Sequence, residues 1–323
     1  MKAIKFKKFG GPEVLELKEV EIGKPGPKEV LVKNFSIGLN YIDVYHRTGL
    51  YPLELPSGLG LEASGVVEEI GNEVNLFKVG DRVSHASAPI TGYSEKQIMP
   101  EEKLVKVPDG ISDEVASCIL LKGITSEYLL HRSYPAKKGD KVLFHAAAGG
   151  VGQILCQWAN ALGCEVIGTV GSDEKVEIAK KNGCHHVVNY TEKNFVSEVE
   201  KIVGKNGIDV VYDGVGAKTF EGSIECLKIR GMMVAFGNAS GYVNTIDVKK
   251  HINAKGLFFT RPSIMHYTIT RKELEDSAAK VFDAVLSGNI KIEISKKYKL
   301  SDVQQAHKDL ENRILKGPAV IIP

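Results

Sequence analysis

Apolar and polar positions along this chain change their rhythm near residue 122. Before it, short alternating runs are broken repeatedly by glycine and proline, which is strand-and-turn patterning. The runs predict strands at Ile4–Phe6, Val14–Val20, Val30–Ile37, Gly65–Ile70, Arg82–Ser84, Tyr93–Met99 and Leu104–Val107. Asn40 is placed to cap a short helix through Arg47, and Ser112 another through Leu120. Asp113 and Glu114 fall in the first turn of the second, where acidic side chains complement the helix dipole. This half reads as an irregular β-barrel-like domain.

From about Lys122 strand and helix alternate. Buried-type strands are expected at Val142–His145, Val166–Val170, His186–Asn189, Val210–Tyr212, Met232–Phe236 and Leu257–Thr260. Helices such as Glu174–Lys181 and Phe195–Val203 fill the intervals, so a doubly wound parallel sheet follows. Beyond Pro262 come an amphipathic helix from Lys272 to Ser287, a strand from Ile292 to Tyr298, a helix from Val303 to Leu310 and a strand from Ala319 to Ile322. That tail is expected to return to the first domain. The expected division is 1–122, 123–262 and a return segment at 263–323.

The most informative stretch runs from Lys141 to Gly152. An apolar strand, Val142-Leu143-Phe144, meets the small residues Ala146 to Gly152, then a helix with Ile154, Leu155, Trp158 and Leu162 on one face. Read as G-x-G-x-x-G, the positions are Ala147, Gly149 and Gly152, with alanine in the first place and Gly150 and Val151 between the others. By itself such a string describes any tight strand-to-helix turn. In the order strand, turn, helix, strand it points to a dinucleotide site. There, small residues let backbone approach a pyrophosphate, and the free N–H groups of the helix N-terminus hold its charge. Gly214 and Gly216 after Tyr212-Asp213, and Phe236-Gly237-Asn238 one strand later, would let a cofactor pass over the strand ends in the same way.

Composition narrows the class. At 323 residues, 43% hydrophobic and 25% charged, the chain fits an ordinary globular protein of two domains. A net charge of +2, with 42 basic against 40 acidic side chains, offers no basic stripe for nucleic acid. No run is long enough for a membrane span, and Met1-Lys2-Ala3-Ile4-Lys5-Phe6 carries no signal-peptide pattern, so the cytoplasm is the expected location. The five cysteines (118, 156, 164, 184 and 226) are scattered without a CxxC pair, which argues against a disulfide framework or a zinc ribbon.

Several segments together resemble one family. They are Gly38-Leu39-Asn40-Tyr41-Ile42-Asp43-Val44-Tyr45, Gly49-Leu50-Tyr51-Pro52, Ala146 to Gly152, Val188-Asn189-Tyr190, Phe236-Gly237-Asn238, Thr260-Arg261-Pro262-Ser263 and Glu311-Asn312-Arg313. The chain is similar along its whole length to the medium-chain dehydrogenase/reductase superfamily, and within it to the NADPH:quinone reductase branch that includes zeta-crystallin. The resemblance implies a GroES-like domain plus a Rossmann domain, NADPH as cofactor, a quinone as substrate and a homodimer. Other branches of the superfamily use zinc. Where they carry a cysteine this chain has Leu39-Asn40, where they carry Gly-His-Glu it has Gly60-Leu61-Glu62, and no cysteine precedes Cys118. Leu61 cannot ligate a metal. Asp43, Glu62 and His85 are the remaining conceivable ligands, without evident partners, so metal-independent chemistry is expected.

An NAD-specific fold places a carboxylate about 20 residues beyond the glycines, on the ribose hydroxyls. The segment there is Thr169-Val170-Gly171-Ser172, with no carboxylate at the strand end. Asp173, next in line, leaves a case for NADH; Lys175 and Ser172 suit a 2′-phosphate instead. The resemblance carries Lys175 and Tyr190 over as contacts to that phosphate. It also places Asn238 near the nicotinamide half and has Arg313 reach the cofactor, although Glu311 is a competing partner for Arg313. Arg261 is a further candidate near the cofactor.

For the substrate, Asn40, Tyr45 and Tyr51 are the candidates. A tyrosine offers a flat face to an aromatic acceptor and a hydroxyl to a carbonyl oxygen, and Asn40 can bond a quinone oxygen or the nicotinamide ribose. Helix capping for Asn40, and core packing for the tyrosines, are the plain alternatives. Reduction of the C=C bond of an α,β-unsaturated ketone or aldehyde is the rival activity. A non-enzymatic NADPH-binding role, crystallin-like or RNA-binding, is the rival of another class. The apolar segment Gly256 to Thr260, if it ends the Rossmann sheet, would pair across a two-fold axis in a dimer.

Overall fold

The structure is a computed structural model that describes residues 1–323. The first stretch forms β1 (Lys2–Lys5), β2 (Glu16–Glu19), β3 (Glu29–Gly38), helix α1 (Tyr41–Thr48), β4 (Glu62–Ile70), β5 (Arg82–Ala86), β6 (Lys96–Pro100) and β7 (Val105–Lys106). Helix α2 (Asp113–Tyr128) leads into the alternating stretch. Its elements are β8 (Lys141–His145), α3 (Gly150–Ala161), β9 (Glu165–Val170), α4 (Glu174–Lys181), β10 (His186–Asn189), α5 (Phe195–Val203), β11 (Ile208–Asp213), α6 (Phe220–Cys226), β12 (Leu227–Ala235) and β13 (Phe258–Thr260). The tail supplies α7 (Ile264–Tyr267), α8 (Arg271–Leu286), β14 (Lys296–Lys299), α9 (Val303–Glu311) and β15 (Ala319–Ile322). Two compact units result. One joins Met1–Leu121 to Thr270–Leu286 and Ile292–Pro323; the other joins Lys122–Ile269 to Ser287–Lys291.

In the first unit the sheet order is β14-β15-β3-β4-β5-β7, with β6 also paired to β3 and a separate β1-β2 ribbon. Register shifts between β3 and β4, at Leu31/Val32 and Asn34/Ser36, add the local twist that curls the sheet. One core gathers Ile4, Phe6, Leu15, Ile37, Leu59 and Ile321, so the terminal strand completes what the first residues begin. In the second unit six parallel strands run β10-β9-β8-β11-β12-β13. Val142, Leu143 and Phe144 of β8 are buried, as expected of a central parallel strand with helices on both faces. Chain order reverses direction between β8 and β11, and at such a switch point the loops beyond the strand ends part and leave a crevice.

Several boundaries differ from the sequence reading for local reasons. Pro12–Val14 forms a 3-10 turn with proline in its first turn, which delays the strand expected from Val14 until Glu16. The strand expected from Tyr93 starts at Lys96, because Ser94 spends its hydroxyl on the Thr91 and Lys96 carbonyls. Helix α2 runs through Gly123 to Tyr128 because it is buried almost all round from Ala116 onward, and packing outweighs one glycine. The strand expected from Ile292 shortens to Lys296–Lys299, and residues 263–269 group with the second unit. All five cysteines are buried and none is in a disulfide, which suits small core residues.

Candidate functional site

In the second unit the turn after β8 is closed by backbone contact. The Gly149 N–H donates to the Ala146 carbonyl at 2.8 Å and the Ala147 N–H to the Thr169 carbonyl at 3.0 Å. A Cβ on Gly152 would lie 2.5 Å from the Ala147 carbonyl oxygen and 2.6 Å from that of Ala146, so only glycine permits this approach of helix to turn. Gly149 is the N-cap of α3, and Gly150, Val151 and Gly152 are its first turn, whose N–H groups have no acceptor within the helix. Ala147 is itself buried, and a Cβ on Gly168 would meet its methyl at 2.7 Å. Its part is to seat the turn against β9.

Ala146, not Ala147, takes the left-handed conformation, with φ 61°. A Cβ there costs about 1–2 kcal/mol, and glycine relieves that while adding freedom to the unfolded chain. Ala146→Gly is therefore expected to stabilise the protein by about 0.5–1 kcal/mol. Thermal denaturation checks it; a fall in Tm would contradict the reading.

The turns after β11 and β12 lock together in the same way. A Cβ on Gly237 would lie 2.4 Å from the Gly214 carbonyl oxygen, and one on Gly214 would lie 2.9 Å from the Phe236 ring. The Asn238 amide, oriented so that acceptor does not face acceptor, accepts from Arg261 Nη2 at 3.1 Å and donates to the Gly237 carbonyl at 2.9 Å. Arg261 also donates to the Pro262 carbonyl at 3.0 Å. Gly214, Phe236, Gly237, Asn238 and Arg261 thus form one group at the strand ends.

Beyond β9 lies a second group. Ser172 and Lys175 begin the α4 turn, where the Lys175 N–H donates to the Ser172 carbonyl at 3.1 Å. A Cβ on Gly171 would meet the Tyr190 hydroxyl at 2.8 Å, which puts that phenol one residue from Ser172. Asp173 accepts from Asn189 Nδ2 at 2.9 Å. One oxygen of the carboxylate that would suit a ribose diol is thus bonded to the neighbouring strand.

The first unit holds the substrate candidates. Asn40 caps α1 in a capping box with Asp43, whose carboxylate accepts the Asn40 N–H at 3.0 Å. Asn40 Nδ2 donates to Glu62 Oε2 at 2.8 Å, and Glu62 Oε1 accepts the Leu121 N–H at 2.9 Å. Capping and a defined amide direction therefore coexist in Asn40. Tyr45 lies between Tyr41 and Tyr51, edge to face, with ring centroids 5.3 and 5.2 Å away. Tyr45 and Tyr51 are half-buried and Tyr41 is exposed, so the three form a ladder at the surface of the unit rather than core.

Under that ladder runs a buried polar chain. Arg47, 1% exposed, binds Glu311 with both Nη atoms at 2.9 and 2.7 Å, the Gly10 carbonyl through Nε at 3.1 Å and His307 Nδ1 at 3.0 Å. His307 Nε2 lies 3.2 Å from the Tyr93 hydroxyl, which donates to Asp43 at 2.9 Å. Burial, and then the Arg47 charge, push the His307 pKa down to about 3, so its imidazole is neutral. Since Arg47 donates to Nδ1, the proton sits on Nε2 and points to Tyr93. Arg313 follows α9 in left-handed backbone, φ 59°, with an exposed side chain. Glu311 belongs to Arg47, which removes the competing partner considered for Arg313.

Comparison with known proteins reads the same way. Residues 26–134 match the family described as "Alcohol dehydrogenase GroES-like domain" and residues 150–284 the one described as "Zinc-binding dehydrogenase". The chain is 45% identical to a quinone oxidoreductase of Pseudomonas aeruginosa over 100% of its own length and 99% of the relative's. Its structure matches that of the Escherichia coli quinone oxidoreductase complexed with NADPH at a TM-score of 0.97, with 44% identity and full coverage of both chains. The chain belongs to the quinone oxidoreductase branch of the medium-chain dehydrogenase/reductase superfamily. A 2-haloacrylate reductase of Burkholderia is also similar, 43% identical over 100% of this chain and 99% of its own.

The description of the second family names zinc. No three His, Cys, Asp or Glu side chains come together as a metal site. The conceivable ligands bond separate partners: Asp43 Oδ2 bonds Tyr93, Glu62 bonds Asn40 and Leu121, and His85 Nε2 bonds Gln97 at 2.7 Å. Leu61 is buried where the zinc branches carry histidine.

Sequence reading does not single out Arg47, Tyr93, His307 or the partnership of Glu62 with Asn40. A charge on the inner face of α1 was the available signal, since Arg47 follows Val44 by three positions on a helix with a buried side. Ala146 gives no signal, because alanine is ordinary in a helix-leading turn.

Proposed function

We propose that this chain reduces quinones with NADPH, without a metal. The observation that carries the reading is the cluster at the end of β9. Ser172 and Lys175 share the turn that follows β9, and the Tyr190 hydroxyl lies beside Gly171, so all three would be at hand for a 2′-phosphate; Asp173 accepts from Asn189. The remaining residues fit the same cofactor. Gly149, Gly150, Val151 and Gly152 would hold the pyrophosphate with helix N–H groups, and Gly214, Phe236, Gly237, Asn238 and Arg261 would receive the nicotinamide half. Arg313 would contact the cofactor from the tail. The left-handed arginine there supports this, because glycine would fill such a helix end with less strain.

The nicotinamide, when bound, supplies the hydride; the protein binds, orients and excludes water. Glu62 fixes the Asn40 amide so that it presents one donor direction to a quinone oxygen or a ribose hydroxyl. The Tyr45 and Tyr51 rings offer a face and an edge to a planar acceptor. A quinone needs no strong acid, since its reduced oxygens take protons from water. The names of the relatives at 45% and 44% identity support this substrate class. The second reading, reduction of an activated C=C bond, is favoured by the 2-haloacrylate reductase at 43%.

Steady-state rates with 1,4-benzoquinone, 9,10-phenanthrenequinone and an alkenal separate the two. Quinones should be the faster substrates, and an alkenal turned over faster than both would reverse the assignment. Tyr51→Ala should lower kcat/KM for quinone roughly ten-fold, with NADPH affinity and Tm nearly unchanged. Lost stability with unaltered kinetics would return Tyr51 to a packing role.

Assembly and location complete the proposal. Strand β13 ends the Rossmann sheet, and its Phe258 is 58% exposed, which supports a homodimer paired across this edge. No helix is long and apolar enough to cross a membrane, and the cytoplasm is the location we propose.

A further inference from the structure

One polar chain in the second unit has no part in the reading above. Asp213 closes β11 with its carboxylate fully buried. Oδ1 accepts the Val215 N–H at 2.8 Å and the Gly216 N–H at 2.9 Å; Oδ2 accepts the Thr219 hydroxyl at 2.7 Å and the Ser223 hydroxyl at 3.2 Å. The Asp213 carbonyl accepts the Phe236 N–H at 2.9 Å and the Gly237 N–H at 3.3 Å. One residue thus pins both glycine turns beyond β11 and β12. His145, at the end of the adjacent β8, extends the chain: Nε2 lies 2.9 Å from the Ser223 hydroxyl and Nδ1 2.8 Å from that of Thr169 on β9. Ser223 donates onward, so it accepts from Nε2–H, and Thr169 donates to Nδ1.

We propose that Asp213, steadied by Thr219, Ser223, His145 and Thr169, is a positioning element that holds the Gly214–Gly216 turn in shape for the nicotinamide half of the cofactor. The inference rests on the dinucleotide reading above and adds a division of labour to it. The residues suited to the 2′-phosphate follow β9, on one side of β8; β11 and β12 lie on the other. A dinucleotide with its adenosine half over β9 puts its nicotinamide half over the turns that Asp213 pins. A buried carboxylate is not needed for folding as such, since well-packed apolar side chains often stabilise as well or better. Here it consumes two turn N–H groups and fixes Gly216 at φ 91°, in a turn where a Cβ on that residue would meet the Gly241 carbonyl oxygen at 2.5 Å. Asp213 touches no reacting atom and acts through the turn.

The test compares two ligands on the full-length protein: NADPH, and adenosine 2′,5′-bisphosphate, which carries only the adenosine half. Asp213→Asn should weaken NADPH roughly ten-fold and change adenosine 2′,5′-bisphosphate less than two-fold. Thr219→Val, which removes one of four donors and perturbs folding less, should give the same split at roughly three-fold. Equal weakening of both ligands, or unchanged NADPH affinity in the folded Thr219→Val protein, overturns the inference and leaves the dinucleotide site standing. A native protein that binds neither ligand overturns both.

Discussion

Glu311→Ala is expected to cost about 3–5 kcal/mol of folding stability, because it strands a buried guanidinium. Arg47 is 1% exposed and has one carboxylate partner, bound through both Nη atoms at 2.9 and 2.7 Å. Its other partners, the Gly10 carbonyl and His307 Nδ1, are neutral acceptors that cannot balance a charge. Glu311 is 31% exposed, so water replaces part of the lost pairing and the cost falls toward the lower end. The pair also joins α1, which Asn40 caps and which carries Tyr45, to the end of α9. Arg47→Met in the Glu311→Ala background should then recover part of the loss, since the uncompensated charge is gone. Chemical denaturation of the single and double variants measures both. A Glu311→Ala protein as stable as the native one, or a double variant that loses the sum of the two single effects, would contradict the account.

Acid should unfold this protein well above the carboxylate range. Burial pushes the His46 and His85 pKa values down to about 4, and burial together with Arg47 pushes that of His307 to about 3, from an ordinary 6.5. Burial lowers that of His145 as well. The folded state keeps these rings neutral while the unfolded chain protonates them below pH 6.5, so the unfolded state binds more protons. Stability is therefore fully present above 6.5 and is lost as pH falls from there toward 4, by at most about 1.4 kcal/mol per pH unit for each of His46, His85 and His307. Thermal melts from pH 8 to 4.5 test this. A Tm that stays flat down to pH 5 would mean that the rings are not held neutral.

Most of the frame is legible in the sequence, because periodicity and glycine placement are local signals. The turn from β8 into α3 is read from three small-residue positions, and Gly214 and Gly237 are recognisable as turn residues. Their contact is not, since it depends on β11 and β12 being neighbours in the sheet. The same limit hides the polar chains. Arg47 meets Glu311 across 264 positions, Tyr93 meets His307 across 214, and His145 meets Ser223 across 78. In sequence Tyr93 and His145 stand at the ends of expected strands and Arg47 and His307 in expected helices, and nothing local pairs them with partners so far away. Asn40 shows the intermediate case: its cap is written in the next three residues, while Glu62, which aims its amide, arrives 22 positions later. Sequence alone lets Tyr45 and Tyr51 serve core or site; the fold leaves both half-buried in an aromatic ladder.

We propose metal-independent reduction of a quinone by NADPH, chosen over NADH through the group around Lys175. It is tested most directly by kcat/KM for the cofactor with 1,4-benzoquinone as acceptor, in chelator-treated protein, for the native chain and Lys175→Ala. The account predicts sustained turnover after chelation, a native preference for NADPH over NADH, and a loss of roughly ten-fold or more for NADPH alone in Lys175→Ala. Turnover abolished by chelation and restored by zinc, or equal use of the two cofactors by both proteins, would contradict it.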